Sequence, residues 1–241
     1  MVMNPDETRG GKNIRHVIKY GRPVCGKGYT GAVVREKFND VVQIEVGKLN
    51  KERMDRDPNY RKEFEPITRN GGYIPDNVII PIYDHALNEA IINDADKIES
   101  DGVGRTPRQI EWLYEHGQLD METTLFVILS ARKDVCAERN LDAIERRKRQ
   151  GRIDVNMFDF RFDIHELYER LVIAQLTTIH HVTPLVIDAD RPLDEVGCEY
   201  AEVVNDFFGR RKFVDERRDK DARSFCRRIP NLRGLSSFPY F

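Results

Sequence analysis

The octapeptide Gly21-Arg22-Pro23-Val24-Cys25-Gly26-Lys27-Gly28 constrains this chain more than any other stretch. It follows the apolar run His16-Val17-Ile18-Lys19-Tyr20 and precedes a helix-like segment from Tyr29 to Phe38. A strand that ends in a glycine-punctuated loop and continues as a helix turns backbone N–H groups inward, and the partly positive helix N-terminus faces the same spot. A polyphosphate is stabilised there, and Lys27 adds a mobile full charge for its β- and γ-phosphates. The other reading of the same residues is a plain β–α turn. Strand before, helix after and an early place in the chain favour the phosphate cradle.

With 241 residues, 40% hydrophobic and 33% charged, the chain suits one globular domain, or one core carrying mobile inserts. Its formal net charge of −2 provides no global field toward nucleic acid or membrane. Cys25, Cys136, Cys198 and Cys226 stand singly, which argues against a zinc site and a disulfide framework and points to a reducing, cytoplasmic setting. No apolar run reaches the length of a membrane span, and Met1 to Lys12 is polar, without the apolar centre of a signal peptide.

Residues 1–13 read as a loose polar arm. Ile14 to Tyr20 is the first strand and Val41 to Ile44 a second. The segment 47–70 is charged and helix-prone, interrupted at Pro58 and Pro66, and looks like a mobile helical flap. A helix follows from about Asp76, its candidate cap, to Ile92. Lys97 to Ser100 precedes Asp101-Gly102-Val103-Gly104-Arg105-Thr106, with Thr106 a natural cap for the next helix, which opens at Pro107. Thr123 to Leu129 has no polar alternation, as expected of a parallel strand covered on both faces. Lys133 to Gln150 is a long basic helix, and Phe158 to Ile179 another, punctuated by His180-His181, a surface or packing pair. Pro184 to Ile187 is the last strand and Leu193 to Phe208 the last core helix. Such alternation gives an α/β fold with a parallel sheet, whose ligands gather at the carboxyl ends of the strands.

Five motifs in order resemble the nucleoside monophosphate kinases of the adenylate kinase type: Gly21-x-Pro23-x-x-Gly26-Lys27-Gly28, Gly47-x-Leu49-x-Lys51, Gly72-Tyr73-Ile74-Pro75-Asp76, Asp101-Gly102-x-x-Arg105-Thr106 with Gln109, and Gly151-Arg152-x-Asp154. The resemblance covers roughly residues 14–208. It implies a three-layer P-loop kinase fold, a five-stranded parallel sheet with helices on both faces, a flap at about 47–75 and a short lid at about 146–158. It also implies the reaction, ATP plus a nucleoside monophosphate giving two diphosphates, with Mg²⁺. Phosphoryl transfer between anions needs positive charge around the moving group and little covalent help. By the resemblance, Gly21, Gly26, Lys27, Gly28, Tyr29 and Thr30 bind ATP. Gly47, Lys51, Tyr73, Ile74, Gly102, Arg105 and Gln109 bind the monophosphate, with Gln109 facing its base. Lys27, Arg105, Arg139, Arg152 and Arg161 are the catalytic charges, and Asp101 orients the water shell of Mg²⁺.

The chain differs from the family pattern at named positions. Tyr29 stands where a threonine is usual, with Thr30 one step later, and a phenol there would crowd the site. Lys51 replaces an arginine fork, Val46 and Lys48 replace a hydroxyl and an acid, and Arg161 falls two residues early. Glu99 occupies a central strand, where it either distorts the strand or marks a relaxed sequence. Three readings follow: an AMP kinase, a pyrimidine or deoxynucleotide kinase of the same fold, or a catalytically weakened relative kept as a structural or interaction subunit. The tail 209–241 is rich in arginine and ends in aromatics, which suits wrapping onto its own domain or docking on an acidic protein or nucleic acid.

Overall fold

A computed structural model of the protein describes residues 14–149 and 157–209, without the side chains at 146, 147 and 149. The N-terminal arm, the tail beyond 209 and most of the expected lid, with Arg152 and Asp154, lie outside the described residues.

The elements run β1 (Arg15–Gly21), α1 (Lys27–Lys37), β2 (Val42–Glu45), α2 (Val46–Arg56), α3 (Pro58–Arg69), α4 (Asp76–Ile92), β3 (Lys97–Asp101), α5 (Pro107–Glu115), β4 (Thr124–Ser130), α6 (Lys133–Arg149), α7 (Phe158–Ala174), β5 (Leu185–Asp188) and α8 (Leu193–Gly209). All five strands form one parallel sheet in the order β2-β3-β1-β4-β5. Successive residues point to opposite faces of a strand, so a sheet covered on both sides needs apolar residues without alternation. β1 and β4 supply them. Val17, Leu125, Val127 and Leu129 pack with Val34 of α1 and Val204 of α8. Ile18, Phe126 and Ile128 pack on the other face with Tyr83 of α4, Leu113 of α5 and Val172 of α7. The result is the α/β sandwich expected from the sequence.

Among the charges that interrupt this pattern, two answer each other. Lys19 of β1 and Glu99 of β3 are 3% and 2% exposed, and Lys19 Nζ lies 2.9 Å from Glu99 Oε1. The Tyr200 hydroxyl donates to the same oxygen at 2.6 Å, and Gln43 Nε2 donates to Oε2. The β1–β3 register continues through Val17↔Glu99 to Lys19↔Asp101. Glu99 therefore neither distorts its strand nor marks a slack core, because each of its carboxylate oxygens has a donor.

Other expectations need correction. Pro58 does end one helix and start the next, with the Asp57 carboxylate capping α3 by accepting from Asn59 N and Tyr60 N. Pro66 does not interrupt α3, since it sits in the last turn, where one missing N–H costs little continuity. Asp76 is the first residue of α4 rather than its cap, and Pro75 holds the cap position. The segment from Phe158 is α-helical only to Ala174 and continues as a π turn, Gln175–Ile179. Beyond that turn His180 stacks on Tyr114 and lies 3.2 Å from Glu111 Oε2, a carboxylate partner that sequence spacing does not show.

α2, α3 and the segment before α4 share a small core of Met54, Tyr60, Phe64 and Ile74. No helix among the described residues is long and apolar enough to cross a membrane. After β1 the chain builds β2 and β3 on one side of it and then β4 and β5 on the other. That reversal leaves a crevice at the carboxyl end of β1, where ligands of such sheets lie.

Candidate functional site

The loop between β1 and α1 is shaped by positions that only unusual backbone can fill. Gly21 has φ +153, and a Cβ on it would sit 2.7 Å from Leu129 O and 2.8 Å from Cys25 Sγ. Gly26, at φ +120, would place a Cβ 2.9 Å from Leu193 Cδ2. Val24 holds a left-handed φ of 63 without being glycine, the kind of local strain that a surrounding structure maintains at working sites. α1 begins after Gly26 with no side-chain cap, so its first amides remain available to an anion.

Lys27 Nζ donates to Gly21 O at 2.6 Å and to Arg22 O at 2.8 Å, so the loop's own carbonyls hold the charge that a phosphate would attract. Thr30 is fully buried and its hydroxyl donates to Lys27 O at 2.9 Å, which turns it into the helix and away from the mouth of the loop. Gly28 meets nothing within 4 Å of a Cβ position. The Tyr29 ring lies along α8, where a Cβ on Gly197 would come 2.8 Å from Tyr29 Cε1. The phenol thus does not fill the loop, and the glycine opposite makes its berth.

A cleft of about 760 Å³ opens over this loop, lined by Gly26, Lys27, Gly28, Tyr29, Asp101 and Arg139 among others. Arg139 of α6 donates to Cys25 O at 2.9 Å and to Arg191 O at 2.7 Å, clamping the loop to the connection before α8. Behind it, burial pushes the Cys136 thiol up to about 12, so that sulfur stays protonated beside the loop. Asp101, at the end of β3, has a buried Oδ1 with no partner among the described residues. Such an atom fits a hydrated divalent cation, whose waters donate to carboxylate oxygens.

Arg105 lies in the loop before α5, its guanidinium 5.7 Å over the Tyr73 ring, while Gly102 leaves room for it: a Cβ there would come 3.2 Å from Arg105 Nη2. Tyr73 also stacks on Tyr168 of α7 at 5.7 Å. Gln109 is 3% exposed, and both ends of its amide are engaged, Nε2 with Asp76 Oδ1 at 2.7 Å and Oε1 with Arg105 N at 2.9 Å. Asp76 also accepts from Thr106 Oγ1 at 2.8 Å. A carboxylate on α4 thereby fixes the amide expected at the base.

The remaining candidates sit elsewhere. Lys51 is exposed and paired with Asp55 at 2.8 Å, one turn along α2, and Gly47 opens onto empty space. Ile74 is buried in the small core of α2 and α3. Arg161 of α7 donates to Thr68 O at 3.1 Å, and a Cβ on Gly71 would meet its Cγ at 2.7 Å, so it braces the end of α3.

The structure adds residues that sequence reasoning passed over. Arg22, in the loop itself, reaches Glu169 of α7 at 2.8 Å and its ring neighbour Phe162 at 5.0 Å. His165 of α7 is 3% exposed, and its ring lies tilted against that of Tyr20 at 4.9 Å. Burial first, then the charges of Lys27, Arg105 and Arg22, hold its imidazole well below the usual histidine range. The available signal was a histidine and a glutamate at helical spacing within the stripe Phe158, Phe162, Val172.

No protein-family model matches the chain. Over 111 residues it is 23% identical to the GTP:AMP phosphotransferase of Plasmodium falciparum (isolate 3D7), a stretch amounting to 46% of this chain and 48% of that protein. The chain thus spans about half the length of the curated relative it matches.

Proposed function

We propose that this chain transfers the γ-phosphoryl group of ATP to a nucleoside monophosphate, with AMP as the preferred acceptor. The observation that carries the reading is the meeting of Lys27, Asp101 and Arg139 in one cleft over the uncapped start of α1. Similarity to a protein named as a GTP:AMP phosphotransferase supports the same class of reaction. Lys27 exchanges two backbone carbonyls for the β- and γ-phosphates, a charge-assisted bond in place of neutral ones. Arg139 holds the loop and adds charge at its rim, and Arg105 leaves the Tyr73 ring to grip the acceptor phosphate as a fork. Mg²⁺ bound with ATP neutralises charge between the β- and γ-phosphates, and Asp101 is the residue that would hold its water shell. A primary amide has two N–H groups and two carbonyl lone pairs, so Gln109, with one of each used, keeps a donor and an acceptor for a purine edge.

Calorimetric titration with ATP, GTP, AMP, CMP, UMP and dTMP tests this reading. ATP and AMP should bind best, and Lys27→Met should weaken ATP at least about 10-fold through loss of a charge-assisted contact. Equal ATP affinity in the variant and the wild type would overturn the assignment of the loop, and a pyrimidine that outcompetes AMP would overturn the acceptor alone. The placement of Lys51 and Arg161 away from the cleft favours a second reading, a kinase-like chain that binds nucleotide without turning it over. Tight ATP binding without product formation would select it.

A further inference from the structure

Among the described residues, three polar clusters besides the hydrogen-bonded sets His16–Tyr83–Ser100 and Asn50–Tyr60 lie outside the roles assigned above. Lys19, Gln43, Glu99 and Tyr200 satisfy one another, and Glu111, Gln175 and His180 do the same around the π turn. The third, beneath the first glycine of the phosphate loop, is unsatisfied. Tyr20 and His165 are 2% and 3% exposed, their rings are 4.9 Å apart, and neither the Tyr20 hydroxyl nor His165 Nδ1 has a hydrogen-bond partner among the described residues. Two adjacent orphan polar atoms in an interior are a cost that native structures accept where a ligand or water completes them.

What surrounds the pair points to an anion. Arg22 lies along the face of α7 that carries His165, touching Phe162 one turn before it and Glu166 and Glu169 just after it. Lys27 from α1, Arg105 from the loop before α5 and Arg22 from the phosphate loop all bear on His165, and each disfavours its proton. The Gly21 carbonyl acts the other way by accepting a hydrogen bond from the imidazole, which leaves Nδ1 as the open nitrogen, and it is the same carbonyl that receives Lys27 Nζ. The carboxylates on this side, Glu166 and Glu169, face Arg22, and from the flap end Tyr73 faces Tyr20. Three cations thus converge on a neutral imidazole with an open nitrogen.

We propose that Tyr20 and His165 contact the phosphate held between Lys27 and Arg105, the hydroxyl and the imidazole Nδ1 both donating to its oxygens. Nδ1 takes a proton from solvent as the dianion arrives and returns it on release, so binding and proton uptake are coupled. The proposal rests on the reading of residues 21–28 as a phosphate cradle, and it makes both side chains substrate-contacting residues.

The test is calorimetry of the full chain with ATP, and with AMP after saturation by Mg²⁺ and an ATP analogue that cannot give up its γ-phosphoryl group, near pH 7 in buffers of different ionisation enthalpy. In parallel, imidazole ¹⁵N resonances of the wild type report protonation of His165 directly, with no substitution needed. Expected are net proton uptake in one of the titrations, a His165 Nδ1 signal that moves to the protonated position, and affinity reduced about 10-fold in His165→Gln with the uptake abolished. Tyr20→Phe should weaken the same titration while leaving uptake in place. A His165 ring that stays neutral under both ligands, or a His165→Gln chain with unchanged affinity and uptake, overturns this proposal and leaves the cradle standing. A wild type that binds no ATP overturns both.

Discussion

Glu99→Leu should strip the sheet interior of the carboxylate that pairs Lys19. Breaking a buried ion pair from one side leaves an uncompensated charge and costs about 3–5 kcal/mol. Here Tyr200 and Gln43 lose their acceptor as well, each worth about 1 kcal/mol net, so the expected loss is about 5–7 kcal/mol. That is a large part of the ~5–15 kcal/mol that stabilises an ordinary domain. Lys19→Met combined with Glu99→Leu removes both charges, fills their volume with apolar atoms and should lie within about 2 kcal/mol of wild type. Guanidinium unfolding followed by fluorescence of Trp112, the chain's single tryptophan, measures these two variants and Lys19→Met alone, and the three together yield the coupling energy. A single variant destabilised by less than about 1 kcal/mol, or a double variant as costly as the sum of the singles, would refute the account of Glu99.

Gly21→Ala should lower stability by more than about 2 kcal/mol and abolish nucleotide binding, because its Cβ meets a backbone oxygen at 2.7 Å at a left-handed φ; thermal melts and ATP titration check this. His165 gives a pH dependence. Its folded pKa lies below the ordinary value, so the unfolded chain binds the extra proton below about pH 6.5, and stability should fall as pH drops from 7 toward 5 by up to ~1.4 kcal/mol per unit. His165→Gln should flatten that slope, and denaturation series at pH 7, 6 and 5 would contradict the reasoning if both chains responded alike.

The sequence made the frame legible where the signal is local. β1, the loop and α1 follow one another within 23 residues, and β4 is an unbroken apolar run, so neither depends on distant partners. Glu99 was unreadable for the opposite reason: its partners lie 80, 56 and 101 residues away on three other elements. The same holds at Gln109, whose amide is fixed by a carboxylate 33 residues earlier that reads locally as a helix cap. Pro66 misled because a proline in a final helical turn forfeits little. Tyr29 looked obstructive until Gly197, on a helix 168 residues later, showed where its ring goes. Lys27, Asp101 and Arg139, singled out by motif, line one cleft, whereas the positions of Lys51 and Arg161 depend on which neighbours their long side chains find.

Phosphoryl transfer itself is the measurement that bears most directly on the account. ³¹P spectra of the full chain with ATP, AMP and Mg²⁺ should show the γ-phosphate signal decline while ADP signals grow from both nucleotides, and Lys27→Met should leave the spectra static over the same hours. Persistent ATP and AMP signals in the wild type, with a folded chain in the tube, would contradict it.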